Sequence, residues 1–226
     1  MREIVFDTET TGMDPADGDK LVEIGCIELE NHMPTGRTYH QYINPEREVP
    51  AEAVAVHGLT QDKLKNEPTF GEIVGDFIDF IGTDAKLIAH NASFDVKFIN
   101  AEFKTYGFPA LDPKRIIDTL AIARKKFPGS PASLDALCRR FNIDNTSRTL
   151  HGALLDSELL AEVYLELLGG RQRGLGIEPE RKKTEDTKIV TAERTFREAR
   201  TFDVTTDERE AHDKMLDDLK DPIWKD

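Results

Sequence analysis

The chain has 226 residues, with 43 Asp and Glu against 30 Lys and Arg and a formal net charge of -13. That length holds one ordinary domain plus an appendage. The charge has the wrong sign for a free-standing nucleic-acid binder held by a basic face, although an enzyme that recruits metal ions, or one delivered to its substrate by a partner, escapes that exclusion. The two cysteines, Cys26 and Cys138, lie in apolar periodic segments with no C-x-x-C spacing, which fits buried free thiols in a reducing cytoplasm. The first residues are strand-like, with no basic-then-apolar leader, and no apolar run approaches the ~18 residues of a membrane span. The expectation is a cytoplasmic protein.

In chain order, the first element is the stretch IVFDTETTG, residues 4 to 12. Three apolar residues in a row, Ile4 to Phe6, suit a central strand covered on both faces. Asp7 and Glu9 follow at i and i+2, so they project from one face. Two carboxylates that close raise one another's pKa unless something positive sits between them, and a divalent metal is the usual answer. A solvated strand end whose acids cap a turn is the competing reading of D-x-E alone.

Residues 21 to 30 and 37 to 43 read as two further strands of a meander. PTFGEIVGDFIDFIG then reads as a helix, with Thr69 and Glu72 as a capping box and Phe70, Ile73, Val74, Phe77, Ile78 and Ile81 as its apolar stripe. Next come a strand (AKLIAHN), a helix (SFDVKFINAEFKTYG), a strand (RIIDTL), a helix (SLDALCRRFNI) and a long helix (ALLDSELLAEVYLELLGG) ended by glycines. This alternation predicts an α/β fold with a mixed sheet covered on both sides. Residues 178 to 200 are dense in charge, the composition of a flexible linker. Spaced apolar residues return at Phe202, Val204, Met215, Leu216, Leu219, Ile223 and Trp224.

More acids decide the reading of the first strand. Asp95, in HNASFD, falls in the first turn of a helix, where the dipole favours an ionised carboxylate. Asp156 lies in the first turns of the long helix, five residues after His151. Singly, each has a plain alternative: a capping acid, a surface acid, a loop histidine with one backbone hydrogen bond. Together, D-x-E at residues 7 to 9, N-x-x-F-D at 91 to 95 and H-x-x-x-x-D at 151 to 156 resemble the DnaQ-like DEDDh 3′-5′ exonucleases over roughly residues 3 to 168.

The resemblance implies a ribonuclease H-like fold, with a mixed five-stranded sheet flanked by helices, and hydrolysis of terminal phosphodiesters with two divalent metal ions. The chemistry agrees: phosphoryl transfer to water must neutralise charge on the phosphoryl oxygens and the departing 3′ oxygen, which two metals roughly 3.5 to 4 Å apart can do. Asp7, Glu9, Asp95 and Asp156 are hard oxygen ligands suited to Mg²⁺ or Mn²⁺. Histidine titrates near neutrality, which suits His151 to take a proton from the attacking water. By resemblance, Thr8, Thr10 and Gly12 grip the terminal nucleotide. His57 matches a family position near it, with a helix-capping role as the alternative. Asp118, at a strand end, lies outside the three motifs and reads as a supporting residue. Phe94 pairs with Phe98 at helical spacing and reads as packing under the sheet.

Within the family, the segment after Gly170 resembles that of proofreading subunits of replicative polymerases. Gln172, Leu175 and Ile177 in QRGLGI match a loose clamp-docking pattern, and the end of the chain, with Trp224, resembles a polymerase-binding tail. The expected layout is an exonuclease domain over 1–170, a clamp-binding peptide over 171–177, and a tether with its tail over 178–226. The partners so implied are a DNA 3′ end, the polymerase catalytic subunit, the sliding clamp and a small theta-like subunit. A free-standing nuclease trimming RNA or single-stranded DNA is the alternative, and a non-catalytic adaptor a third reading.

Overall fold

In the computed structural model, residues 1–146, 148, 150–170 and 204–218 are described. The chain divides into two compact units, Met1–Ile177 and Glu178–Asp226.

The first unit is built on five strands: β1 (Arg2–Thr10), β2 (Leu21–Glu30), β3 (Met33–Tyr42), β4 (Lys86–Ala89) and β5 (Ile116–Asp118). Their order across the sheet is β3-β2-β1-β4-β5. β1 pairs antiparallel with β2, and β2 with β3. β1 pairs parallel with β4, and β4 with β5. The helices of this unit are α1 (Ala51–His57), α2 (Gln61–Leu64), α3 (Phe70–Ile81), α4 (Ala92–Thr105), α5 (Thr119–Lys126), α6 (Leu134–Phe141) and α7 (Ala153–Leu167). In the second unit, α8 (Thr206–Asp218) is opened by a Thr205 cap, whose backbone N–H and hydroxyl both donate to Glu208.

β1 is central, as its unbroken apolar run requires, and its two faces enter different cores. Ile4 and Phe6 pack with Phe77 of α3 and Phe98 of α4. Val5 packs with Ile88, Leu160 and Tyr164, on the side covered by α7. Side chains alternate along a strand, so Asp7 and Glu9 share the α7 side while Thr8 faces α4. α3 carries the expected capping box, and Phe70, Ile73, Val74, Phe77 and Ile81 are all buried. Cys26 and Cys138 are buried and free.

Several boundaries differ from the sequence reading. β1 continues through Thr10, so the paired acids lie within the strand rather than at its end. β3 begins at Met33, before the segment expected to form it. β4 stops at Ala89 and β5 at Asp118. The RIIDTL segment therefore turns from strand to helix inside itself, because the Asp118 side chain accepts from the Leu120 N–H and caps α5. The short helices α1, α2 and α5 carry little periodicity of their own. α1 and α2 are held instead by a small cluster in which Val22, Val49, Leu59 and Leu64 are buried.

One glycine sets how closely α7 approaches the sheet. Gly25 of β2 is the cross-strand partner of Asp7. A Cβ at Gly25 would lie 2.3 Å from the backbone carbon of Ala153 and the nitrogen of Leu154. The Ser157 hydroxyl donates to the Gly25 carbonyl at 2.9 Å. The first turn of α7, which carries Asp156, thus rests directly on β2 at the level of Asp7. A strand-interior glycine commonly marks such a close backbone approach.

Gly25→Ala should push the start of α7 off the sheet and destabilise the first unit by about 1–3 kcal/mol, the range for overpacking against rigid neighbours. Chemical denaturation would measure this, and an unchanged midpoint would show that α7 does not depend on the missing Cβ.

Candidate active site

Three elements and one loop converge. β1 brings Asp7 and Glu9, α4 brings Asp95 in its first turn, and α7 brings Asp156 in its first turn. His151 comes from the segment just before α7 and is 48% exposed at its side chain, whereas the Asp156 side chain is 3% exposed. Ligand atoms of Glu9, His151 and Asp156 all lie within 4.8 Å of one another. Asp95 joins from the other face of β1, where its Oδ1 accepts from the Thr8 hydroxyl at 2.7 Å. Asn91, with φ 64°, turns the chain into α4. Its N–H donates to Asp118 Oδ1, the same oxygen that caps α5. Asp118 therefore ties the starts of two helices together beneath the cluster.

The acids crowd one another in a desolvated place. Burial, then Asp95, Glu9 and Asp156, push the Asp7 carboxyl well above the usual range, and Arg148 opposes them. Burial and the neighbouring acids Asp156, Glu23 and Asp95 push Glu9 up to about 8. Asp95 is pushed up to about 7. The helix start was expected to keep Asp95 ionised. Burial overrides that dipole and the hydrogen bond from Thr8, since desolvation disfavours the charged form. A set of hard carboxylate oxygens with excess negative charge, plus one imidazole, fits a divalent oxygen-seeking cation. Asp7, Glu9, Asp95 and Asp156 would hold it.

The sequence reading passed over Arg148, in the segment leading to His151. Its guanidinium holds Asp156 bidentately, with Nε to Oδ1 at 2.5 Å and Nη2 to Oδ2 at 2.7 Å. Nη1 reaches Asp135 Oδ1 at 2.9 Å. Nη2 also lies 2.8 Å from His151 Nδ1. The only sequence signal was a lone cation set among motif acids.

Cavities flank the acids. One of about 240 Å³ is lined by Asp7, His90, Asp135, Arg148, His151 and Asp156 among others. Another of about 490 Å³ is bounded by Thr8 to Met13, with Val56, His57 and Phe94. The Thr8 and Thr10 hydroxyls donate inward, to Asp95 and to the Gly12 carbonyl, which leaves their oxygens as acceptors. Gly12 also has a packing reason: a Cβ there would collide with the Asp19 carboxylate. His57 is buried as the last residue of α1. Its Nδ1 accepts from the Leu59 N–H at 3.0 Å, so the ring plays the capping part and lines the cavity as well. Nε2 then carries the proton; it makes no hydrogen bond of regular geometry among the described residues, although the Thr10 backbone lies close enough to act on the ring. Phe94 packs 5.0 Å from Phe98 and also faces the cavity. Gln172, Leu175, Ile177 and Trp224 lie outside the described residues.

Comparison with known proteins is consistent with this geometry. Residues 4–164 match the family model described as "Exonuclease". The chain is 50% identical over 205 residues to the DNA polymerase III subunit epsilon of Rickettsia conorii, covering 84% of this chain and 89% of that one. It is 43% identical over 231 residues to the subunit of the same name from Escherichia coli, covering 96% and 92%. Among solved structures, the nuclease domain of 3'hExo, a DEDDh family member bound to rAMP, superposes with a TM-score of 0.64 at 22% identity, covering 74% of this chain and 91% of that one. That last likeness is one of fold.

The raised carboxyls predict a pH signature. A group whose folded pKa is raised stabilises the fold at low pH and loses that contribution as pH rises through the folded value. Between the ordinary carboxylate range and about 8, the value for Glu9, the cation-free protein should become less stable as pH rises. Its melting temperature should be lower at about pH 8.5 than at about pH 6, and Mn²⁺ should raise it more at the higher pH, where fewer protons compete. A flat profile without Mn²⁺ would mean that the acids are not crowded.

Proposed function

The chain belongs to the exonuclease family in which the DNA polymerase III epsilon subunits fall, and from that membership we propose that it is the 3′-5′ proofreading exonuclease of a replicative DNA polymerase, acting in the cytoplasm on a DNA 3′ end. The observation that carries this reading is the convergence of Glu9, Asp156 and His151, with Asp7 and Asp95 crowded against them, beside a cavity walled by Thr8 to Gly12 and His57.

Two divalent ions, Mg²⁺ or Mn²⁺, held by Asp7, Glu9, Asp95 and Asp156, would neutralise charge on the phosphoryl and leaving oxygens. The protein's own groups do the rest. The hydroxyl oxygens of Thr8 and Thr10 and the backbone to Gly12 receive the terminal nucleotide, and the buried His57 Nε2–H offers it a donor. Thr8 steadies Asp95 by its hydrogen bond. His151, the exposed member of the cluster, takes the proton from the attacking water. The bond broken is that between phosphorus and the 3′ oxygen of the preceding nucleotide, which releases a nucleoside 5′-monophosphate.

Association with the DNA polymerase III catalytic (alpha) subunit supplies the substrate, which reconciles the reading with a net charge of -13: a tethered enzyme works at high effective concentration and needs little affinity of its own. We assign clamp docking to Gln172, Leu175 and Ile177, polymerase binding to the end of the chain with Trp224 as an anchor, and the charge-dense run 178–200 to the spacer between them. A small theta-like subunit is a further partner in this scheme.

Asp7→Ala should abolish release of mononucleotides while the protein stays folded, because it empties a ligand position yet relieves carboxylate repulsion. His151→Ala should slow turnover by roughly 10² to 10⁴-fold, the usual worth of a general base, with the residual rate rising with pH as hydroxide substitutes. Full activity in either variant would sink the role given to that residue. Trp224→Ala should weaken binding to the polymerase catalytic subunit by about thirtyfold or more, as loss of a buried aromatic anchor does. Gln172→Ala with Leu175→Ala should weaken clamp binding alone, and neither change should alter hydrolysis of a short single strand. If deleting residues 178–226 leaves polymerase binding intact, the assignment of the tail fails.

A further inference from the structure

Arg148 engages the cluster in a way that the hydrolytic scheme does not use. Its planar fork engages both oxygens of Asp156, with one nitrogen on each. Asp156 is buried and opens only onto the small cavity that it shares with Asp7, Arg148 and His151, so a cation reaching those oxygens meets the guanidinium there. The same Nη2 faces His151 Nδ1 at 2.8 Å. A guanidinium has donors and no acceptor, so His151 Nδ1 must present its lone pair to Arg148. Arg148 therefore occupies this side of the ring, whose Nδ1 also lies 3.3 Å from Asp156 Oδ2. Asp135 braces the fork from outside at 2.9 Å.

We infer that Arg148 is a positioning residue that acts as an internal counter-ion: it holds Asp156 and His151 together, and metal binding must displace its guanidinium from Asp156. The inference rests on reading the cluster as a divalent-metal site. Charge argues for it independently of any ligand. Asp7, Glu9 and Asp156 repel one another across a desolvated space, and Arg148 is the cation that opposes them in Asp7 and Glu9 alike. A divalent ion seated on the same oxygens would face the guanidinium at close range, and like charges cannot share one buried carboxylate without loss to both. Once Arg148 leaves, Asp156 is free to coordinate and His151 Nδ1 is unlocked. One event thus frees both a carboxylate for the metal and a ring nitrogen of His151.

The test uses full-length protein and the metal alone. Mn²⁺ binding is measured by calorimetry at one fixed pH for the wild type, Arg148→Gln and Arg148→Lys. Removing the competitor should tighten Mn²⁺ binding by Arg148→Gln about tenfold, the low end for a charge-assisted pair on a buried carboxylate, and should lower the melting temperature without metal. Arg148→Lys keeps the charge but loses the fork, so it should fall between the two. Unchanged or weaker Mn²⁺ binding by folded Arg148→Gln overturns the inference. Absence of Mn²⁺ binding by the wild type would instead overturn the metal reading beneath it. In case Arg148→Gln does not fold, nitrogen NMR on the wild type decides: the Arg148 Nε–H and His151 ring resonances should shift together as Mg²⁺ is added. An Arg148 resonance that stays unmoved at saturating Mg²⁺ overturns the inference.

Discussion

Carboxylates that repel one another govern this molecule's central strand. Asp7 and Glu9 lie two residues apart in the middle strand of a sheet, with Asp156 and Asp95 brought against them, and burial strips away the water that would screen them. Left alone, such a cluster would spread or take up protons. The surrounding structure refuses it room to spread. Gly25 lets α7 lie on β2, Ser157 fastens α7 there, and Asp118 clamps the start of α4 against that of α5. What remains is to meet the charge: protons, Arg148 or a metal ion can each do so. Stored repulsion of this kind favours a compact, highly charged guest.

The sheet and its covering were legible because the signals there were strong. An unbroken apolar run marked β1 as central, a capping box opened α3, and glycines closed α7. The residues that the structure brings together here, Glu9, Asp156 and His151 with Asp7 and Asp95 beside them, could be singled out because the spacing within each motif is local even though the motifs lie far apart in the chain. What escaped had no local signature. α1, α2 and α5 are short, and tertiary contacts rather than periodicity hold them. The strand ending at Asp118 changes to helix because one side chain caps the other element, a choice read only from the hydrogen bond. Asp95 misled because the helix dipole was visible in sequence and the burial that outweighs it was not.

Arg148 and Gly25 are two residues of consequence that the sequence reading left unremarked, for opposite reasons. Arg148 looks like any surface cation in a polar loop, and its meaning comes from Asp135, Asp156 and His151 closing round it. Gly25 matters through an atom it lacks. A glycine inside a largely buried strand is a weak flag by itself, but its register partner is Asp7. The pairing of an acid with a missing side chain is the feature that a reading for close approach would seek.

The alternation along β1 has a consequence for how this protein can change over time. Asp7 and Glu9 point toward α7 while Thr8 between them reaches Asp95 on the opposite side, so the strand serves both halves of the cluster at once. Many substitutions at Ile4, Val5 or Phe6 would cost packing yet leave that division intact. A single codon gained or lost before Asp7 would exchange the two faces: a loss would present Thr8 and Thr10 where the acids belong, and a gain would put Thr8 in the place of Glu9. The lineage can therefore drift in the letters of this strand but not in their number, and its tolerance for insertions should be found in the hairpin ends instead.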